Sequence, residues 1–256
     1  MLSRKLGPGA TLSLVAALIA AMLAVWQFQR AAEKRAIVLA IASAQGEGLV
    51  SLTGSALPSS PEGIQRLDQA RVRLRGQWLE DTTLYLDNRL LEGRPGVQVV
   101  TALLLEDRRV AWVQRGWAPK PPGDQGPSAE PYLQGRLHRP SSLGAVELEA
   151  VAYSSLMRRM SLAPEPQVES ALWTNLDWDR LAARLRMRAG SSAQSGAGIW
   201  PLVFWQTSDS MDGLIRHLPQ PPQDAVDKHL GYAFQWLLFC AVGLFFAWRL
   251  SRPEAS

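Results

Sequence analysis

The sequence predicts an α+β protein in which one antiparallel-sheet extramembrane domain is flanked by two transmembrane helices, N-terminal and C-terminal. Three observations predict it. Residues 10–28 and 230–248 contain no charged residue. At a helical rise of about 1.5 Å per residue, each stretch is roughly 28 Å long, near the hydrocarbon thickness of a bilayer. The residues between them alternate apolar and polar side chains with the period of a half-buried strand, and one window there has helical period. The 256 residues are 47% hydrophobic and 20% charged, which excludes a disordered chain. The mean hydropathy of -0.06 averages two compositions and hides the spans.

The flanks fit the spans. Arg4 and Lys5 in the leader (1–9) precede the first span and Arg30 follows it, while Arg249 and Arg252 close the second before the tail (249–256). Trp26 and Trp248 sit where interfacial rings belong. A cleaved signal peptide is the alternative for the first span, but the apolar run exceeds the usual h-region of about 7 to 15 residues, so an uncleaved signal anchor fits better. Two spans put both termini on one side of the membrane and residues 29–229 on the other. Positive-inside counting is close to a tie, and a loop this long crosses largely regardless of charge. Cytoplasmic termini in a bacterial inner membrane are the simplest arrangement.

Residues 29–45 are rich in helix formers and prolong the first helix as a stalk until Gly46 and Gly48 stop it. Val72, Leu74 and Trp78 then point one way, and Arg71, Arg73, Arg75 and Gln77 the other. Leu84 and Leu86 continue the alternation. A turn at Glu92-Gly93-Arg94-Pro95-Gly96 leads into a β-rich run at 97–105, and a polar turn at 106–109 into another strand at 110–117. Four consecutive strands predict an antiparallel meander. Residues 119–127, with four prolines and two glycines, form a loop, and 132–138 alternate again with Leu133 and Leu137 on one face. No element is assigned to 143–165. Trp178, Leu181, Ala182 and Leu185 fall at i, i+3, i+4 and i+7, a helix with Asn175 or Asp177 as its cap and Gly190 past its end. Arg180, Arg184 and Arg188 line its other side, read as a solvated face, with an anion site as the alternative. Residues 191–198 are a Gly/Ser/Ala loop. Residues 199–207 resume β character, with Pro201 pushing the strand to a sheet edge, and 219–222 connect to the second span.

Little in the chain asks for catalysis. One cysteine, Cys240, makes neither an intrachain disulfide nor a redox pair. The 27 Lys+Arg against 23 Asp+Glu give +4, scattered rather than clustered, so nucleic acid is not an expected partner. His138, His217 and His229 are never at i, i+3 or i+4 from one another, and no nucleophile elbow, Walker loop, dinucleotide fingerprint or zincin helix is present. Glu80/Asp81 and Glu106/Asp107 read as solvated turn residues. A non-enzyme is expected, with a hydrolase of unrecognised site as a distant rival.

The head of the second span is the unusual place. Asp224-x-x-Asp227 resembles a capping box, and Lys228, His229 and Tyr232 follow before the apolar run. At 100° per residue His229, Tyr232, Ala233, Trp236, Cys240, Gly243 and Ala247 share a face, while Phe234, Leu238 and Phe245 lie opposite. Ser13, Ala17, Ala20 and Ala24 form a comparable stripe of small residues on the first span, so the spans pack on each other or on a partner's helix. His229 reads either as an interfacial polar residue that sets helix depth or as the axial ligand, and so the one metal-binding residue, of a haem. In the second case Lys228 receives a propionate, and Tyr232 and Trp236 cover a porphyrin edge.

These motifs in series resemble the Surfeit locus protein 1 family, membrane proteins of cytochrome c oxidase assembly. The resemblance covers most of the chain. It rests on the two spans, on Gly76 in its strand, on Leu86-Asp87-Asn88-Arg89 with Pro95-Gly96, and on Val113-Gln114-Arg115-Gly116-Trp117-Ala118-Pro119. Gly135-Arg136-Leu137, Trp173-Thr174-Asn175-Leu176-Asp177 and His229-Leu230-Gly231-Tyr232-Ala233-Phe234-Gln235-Trp236 complete it. Gln114 and Lys228 stand where the family often has Asn. The resemblance implies a periplasmic domain, no catalytic residues, and a role in delivering haem a to oxidase subunit I, with His229 at the position proposed as haem ligand. The partners it implies are subunit I, a haem a synthase and the lipid bilayer. A scaffold that grips oxidase subunits without touching haem is the alternative. Arg115-Gly116-Trp117 reads as a structural corner at a bulge or close backbone approach, or, if haem binds, as Arg115 reaching a propionate.

Overall fold

The computed structural model describes residues 7–52, 60–120, 144–156, 158, 160, 164–188, 198–219 and 223–252. In chain order the elements are α1 (Pro8–Gly46), β1 (Val50–Leu52), α2 (Pro61–Arg66), β2 (Arg71–Leu91), β3 (Arg94–Leu105), β4 (Val110–Pro119), β5 (Val146–Tyr153), β6 (Leu172–Trp173), α3 (Trp178–Arg188), β7 (Ile199–Gln206) and α4 (Gln223–Leu250). They fall into two compact units, Met1–Ser43 with Gln220–Ser256, and Ala44–Pro219. The strand expected at 132–138, the stop at Gly190 and most of the segments expected as loops or connector at 119–127, 191–198 and 219–222 lie outside the described residues.

The first unit is a helix pair, α1 and α4, both long and apolar enough to cross a bilayer. The expected stalk continues α1 to Gly46 without a break. The two helices pack on each other through their small faces. Ala10, Ala17, Ala20, Ala24 and Ala31 are buried on α1, and Val226 and Ala233 on α4. A Cβ added to Gly243 would lie 3.0 Å from the Ala17 Cβ and 3.1 Å from the Ser13 carbonyl oxygen. The helices run antiparallel, since Ala17 meets Gly243 while Phe28 meets Phe234 edge to face at 6.0 Å. In a bilayer, where lipid tails are as apolar as leucine, this close backbone approach is the attraction available to the pair. Leu12, Leu18, Met22, Phe234, Leu238 and Phe245 are left exposed on the outer surfaces, as side chains that face lipid should be.

The second unit is a closed barrel. Its sheet runs β1-β2-β3-β4-β7-β5, and a further β2–β5 pairing joins the ends of the path from β2 to β5. The expected purely antiparallel sheet is corrected to a mixed one. A closed ring needs an even number of direction reversals, so five strands cannot all be antiparallel to their neighbours. Here the parallel pair within the ring is β4–β7, and the short strands β1 and β6 also run parallel to β2. The first two predicted strands are one, β2, whose register shifts between Leu79 and Leu84. Residues 71–76 pair with β5 and residues 76–91, across the register shifts, with β3, so this single strand closes the ring.

Two other readings change with closure. β7 is not an edge strand: it lies between β4 and β5. Pro201 is tolerated because β5 pairs only with Val203 onward, and the β4 ladder skips a stretch between Ile199 and Val203. The unassigned stretch 143–165 contains β5, in which Leu148 and Ala150 face inward while Glu147 and Glu149 face Arg71 and Arg73 across the strand pair, at 3.0 to 3.6 Å. Such exposed pairs add little stability, but they favour this register.

The barrel has two apolar layers. Its interior holds Val72, Leu74, Leu103, Leu105, Ala111, Val113, Leu148, Ala150, Leu202 and Phe204, contributed by all five ring strands. The other face of β3, β4, β5 and β7 is covered by Trp173, Leu176, Leu181 and Leu185 of the β6–α3 segment. Because both faces of β3 and β4 are covered, their burial is nearly continuous rather than alternating. Asp177 caps α3, its Oδ1 accepting from the backbone N–H groups of Asp179 and Arg180.

The arginine stripe of α3 is only in part the expected solvated face: Arg188 is exposed, whereas Arg180 is half-buried and Arg184 buried. Arg184 is 2% exposed. Its guanidinium donates to the carbonyls of Thr82 and Thr83 at 3.1 and 2.8 Å, and to those of Val168 and Ser170 at 2.9 and 2.8 Å. The first two belong to the irregular stretch of β2, where the register shift leaves carbonyls without a strand partner. Arg180 lies over the Trp173 ring at 4.1 Å and pairs with Glu165 at 3.3 Å.

Arg184→Met would strand several buried carbonyls and should cost about 3 kcal/mol or more, lowering the thermal midpoint of the detergent-solubilised chain by roughly 6–12 °C. Gly243→Ile should force α1 and α4 apart, costing about 1–3 kcal/mol, seen as a lower detergent-unfolding midpoint, with Gly243→Ala intermediate.

Candidate functional site

His229 lies in the second turn of α4, half-buried, on the stripe continued by Val226, Ala233 and Trp236. Gln27 lies on the matching stripe of α1, three residues after Ala24 and four before Ala31, both buried. The two side chains meet: His229 Nδ1 is 2.6 Å from Gln27 Oε1. An amide oxygen only accepts, so Nδ1 carries the proton and donates it. In the neutral ring the other nitrogen, Nε2, is the one that carries a lone pair, and no hydrogen bond from a described residue reaches it.

Around this pair the expected residues are partly assembled. Tyr232 and Trp236 follow His229 at i+3 and i+7, Tyr232 being 53% exposed and Trp236 set edge-on to Phe239 at 5.5 Å. Lys228 is exposed at the helix head. A haem fits this donor set. Among the described residues no group of three or more His, Cys, Asp and Glu side chains stands close enough to hold a bare metal ion, whereas haem iron, already held by the porphyrin, takes a single neutral imidazole nitrogen from the protein as an axial ligand. Gln27 was missed by sequence reasoning. Its signal was present, since a long polar side chain interrupts the alanine stripe at the stripe's own spacing.

Arg115, the remaining expected site residue, belongs to the barrel unit, whereas His229, Tyr232, Trp236 and Lys228 belong to the helix pair. It is the extra residue of a bulge between β3 and β4, where Val99 pairs with Gly116 and Val100 with Gln114. Its side chain is 3% exposed, paired with Asp212 at 3.3 Å and Glu80 at 3.5 Å, and lies over the Trp78 ring at 4.8 Å. Two carboxylates already neutralise it, so the structural corner is the reading that holds. Asp212 also binds Arg216 at 2.8 Å, and Ile215 exchanges two backbone hydrogen bonds with Trp117, both at 2.8 Å. Gly116 is required at this corner, because a Cβ there would lie 2.9 Å from the Ile215 carbonyl oxygen. The Trp117 indole donates to the Arg89 carbonyl at 2.8 Å and lies over Gly96, leaving no room for a Cβ. Arg89 in turn donates to the Thr174 carbonyl at 2.8 Å.

A polar hollow beside α3 is lined by Glu80, Asp81, Thr83, Tyr85, Glu169 and Arg184. The Thr83 hydroxyl there is bonded to that of Thr101 at 3.0 Å, and the Arg184 guanidinium donates to the Thr82 and Thr83 carbonyls.

Of the other histidines, His138 lies outside the described residues. His217 packs against the Trp205 ring edge to face at 5.4 Å, and its Nδ1 is buried without a partner. Burial pushes its pKa below the ordinary histidine value, and the hydrogen bond at the Ile215 backbone opposes this more weakly. The folded chain therefore holds His217 neutral where the unfolded chain, with a pKa of about 6.5, takes up a proton. Its contribution is complete above that pH and is lost as pH falls toward the depressed folded value. Urea midpoints measured at pH 7 and below pH 6 should drop more in the native chain than in His217→Gln.

Comparison with curated proteins finds no match. The sequence profile of the SURF1 family, however, matches residues 14–241, a span that takes in most of α1 and α4 and the whole barrel. Because this match covers most of the chain, the chain belongs to the SURF1 family, known in general as cytochrome oxidase assembly factors.

Proposed function

We propose that this protein is a non-catalytic assembly factor, anchored by both helices, that binds haem a through His229 Nε2 and hands it to subunit I of cytochrome c oxidase. The observation that carries the reading is the His229–Gln27 hydrogen bond, which occupies one ring nitrogen and leaves the other available at the head of a bilayer-length helix. When bound, haem supplies an iron that accepts this nitrogen as an axial ligand.

The chain's own groups divide the remaining tasks. Tyr232 and Trp236 present aromatic surface along the helix face below His229, suited to a flat, apolar macrocycle. Lys228, exposed beside the histidine, offers a cation to a propionate at the polar side of the interface. The barrel unit is placed on the periplasmic side of a bacterial inner membrane, with haem a synthase as the supplier and subunit I as the recipient. Arg115 is left out of the binding set because Glu80 and Asp212 enclose it.

The test is purification of the full chain from cells that make haem a. A haem a spectrum is expected, and His229→Ala should reduce bound pigment by about 10- to 100-fold while leaving the circular dichroism unchanged. Pigment unchanged in the folded variant sinks the assignment of His229. Crosslinks to oxidase subunits from a chain that never carries haem would replace this reading with the scaffold.

A further inference from the structure

We propose that Gln27 is a positioning residue for His229, selecting the Nδ1–H tautomer so that Nε2 is the ligating nitrogen. This rests on the haem-binding reading for its purpose, though not for its geometry.

Three observations converge. The contact is short, 2.6 Å between His229 Nδ1 and Gln27 Oε1, and joins residues 202 apart in sequence. Gln27 sits on the face of α1 that the buried alanines turn toward α4, not on the face occupied by exposed Leu12, Leu18 and Met22. Neither side chain has another hydrogen bond to a described residue. A polar side chain in a membrane-spanning helix is costly without a partner and turns inward to find one. Here the partner is the residue proposed to meet haem.

The chemistry gives this bond a specific consequence. Neutral imidazole has one protonated nitrogen, and the hydrogen bond made by one nitrogen decides which remains able to ligate. Free histidine favours the Nε2–H form, the wrong one for ligation through Nε2. An acceptor at Nδ1 reverses the preference and holds the ring plane against rotation. The close approach of the helices makes this possible, because small residues at Ala24, Ala31 and Ala233 let an amide of ordinary length reach the ring.

The experiment uses the full chain in detergent with ¹⁵N-labelled histidine, first without haem, assigning the His229 signals by comparison with His229→Ala. The native chain should show protonated Nδ1 and unprotonated Nε2. Gln27→Leu, similar in size but without an acceptor, should shift His229 toward the Nε2–H form, and Gln27→Glu should restore protonated Nδ1. With haem, Gln27→Leu should lose about 10- to 100-fold in affinity and move the haem absorption band, with Gln27→Glu recovering binding. A native His229 in the Nε2–H form overturns the proposal without recourse to any variant. So does a folded Gln27→Leu chain with unchanged tautomer, or one with altered tautomer and unchanged haem affinity. The haem-free tautomer measurement separates the two ideas: a chain that never binds haem, yet shows the Gln27-dependent tautomer, refutes the proposed function and leaves the positioning geometry standing.

Discussion

Close approach of α1 and α4 is the constraint on which the candidate site depends. Two helices in lipid gain nothing from hiding apolar surface from each other, so they meet where side chains are small enough for backbones to touch. Alanines at positions 10, 17, 24 and 31 recur every seven residues on α1, and Gly243 takes the tightest place opposite, against Ala17. That spacing brings a glutamine amide within hydrogen-bond reach of an imidazole. Larger residues in the stripe would leave His229 and Gln27 each facing lipid or water, with no preferred ring orientation and no preferred tautomer.

The barrel is governed by a different constraint, closure. Five strands in a ring impose a parallel pair, and the long β2 joins the two ends of the path, pairing with β5 over residues 71–76 and with β3 from Gly76 onward. The register shift of β2 against β3 between Leu79 and Leu84 leaves the Thr82 and Thr83 carbonyls inside the protein, and Arg184 reaches from α3 to satisfy them. Arg115 performs a related task at the β3–β4 bulge, where Asp212 and Glu80 balance its charge. Buried guanidinium groups are costly without partners; Arg184 finds backbone carbonyls of β2 and of the segment before β6, and Arg115 finds the carboxylates of Glu80 and Asp212. Much of the basic character of the domain thus serves its architecture.

Seen this way, several of the motifs that carry the family resemblance describe joints. Trp117 over Gly96, Arg89 on the Thr174 carbonyl, and Asn175 on Glu165 at 2.9 Å all tie strand ends to neighbouring segments. The helix head containing His229 is the motif on which the proposed haem site rests, and there the structure shows one oriented imidazole between two packed helices.

The spans, the stalk, the α3 helix and the inward faces of the strands were legible directly, because each is a local property of the sequence: a charge-free run of bilayer length, a run of helix formers, or a short repeat of apolar positions. The small face of α4 with His229 on it was legible for the same reason. Ring closure, the central place of β7, the continuity of β2 and the buried role of Arg184 were not, since each is decided by which strand lies beside which, a matter of pairing between distant segments. Pro201 looks like an edge signal until the neighbouring strand is seen to begin pairing only after it. Gln27 and His229 illustrate the same division. Each residue's face is implied by its own helix, but the bond between them exists only when residues 202 apart are packed side by side, because a hydrogen bond depends on distance in space and the chain order carries no record of that distance.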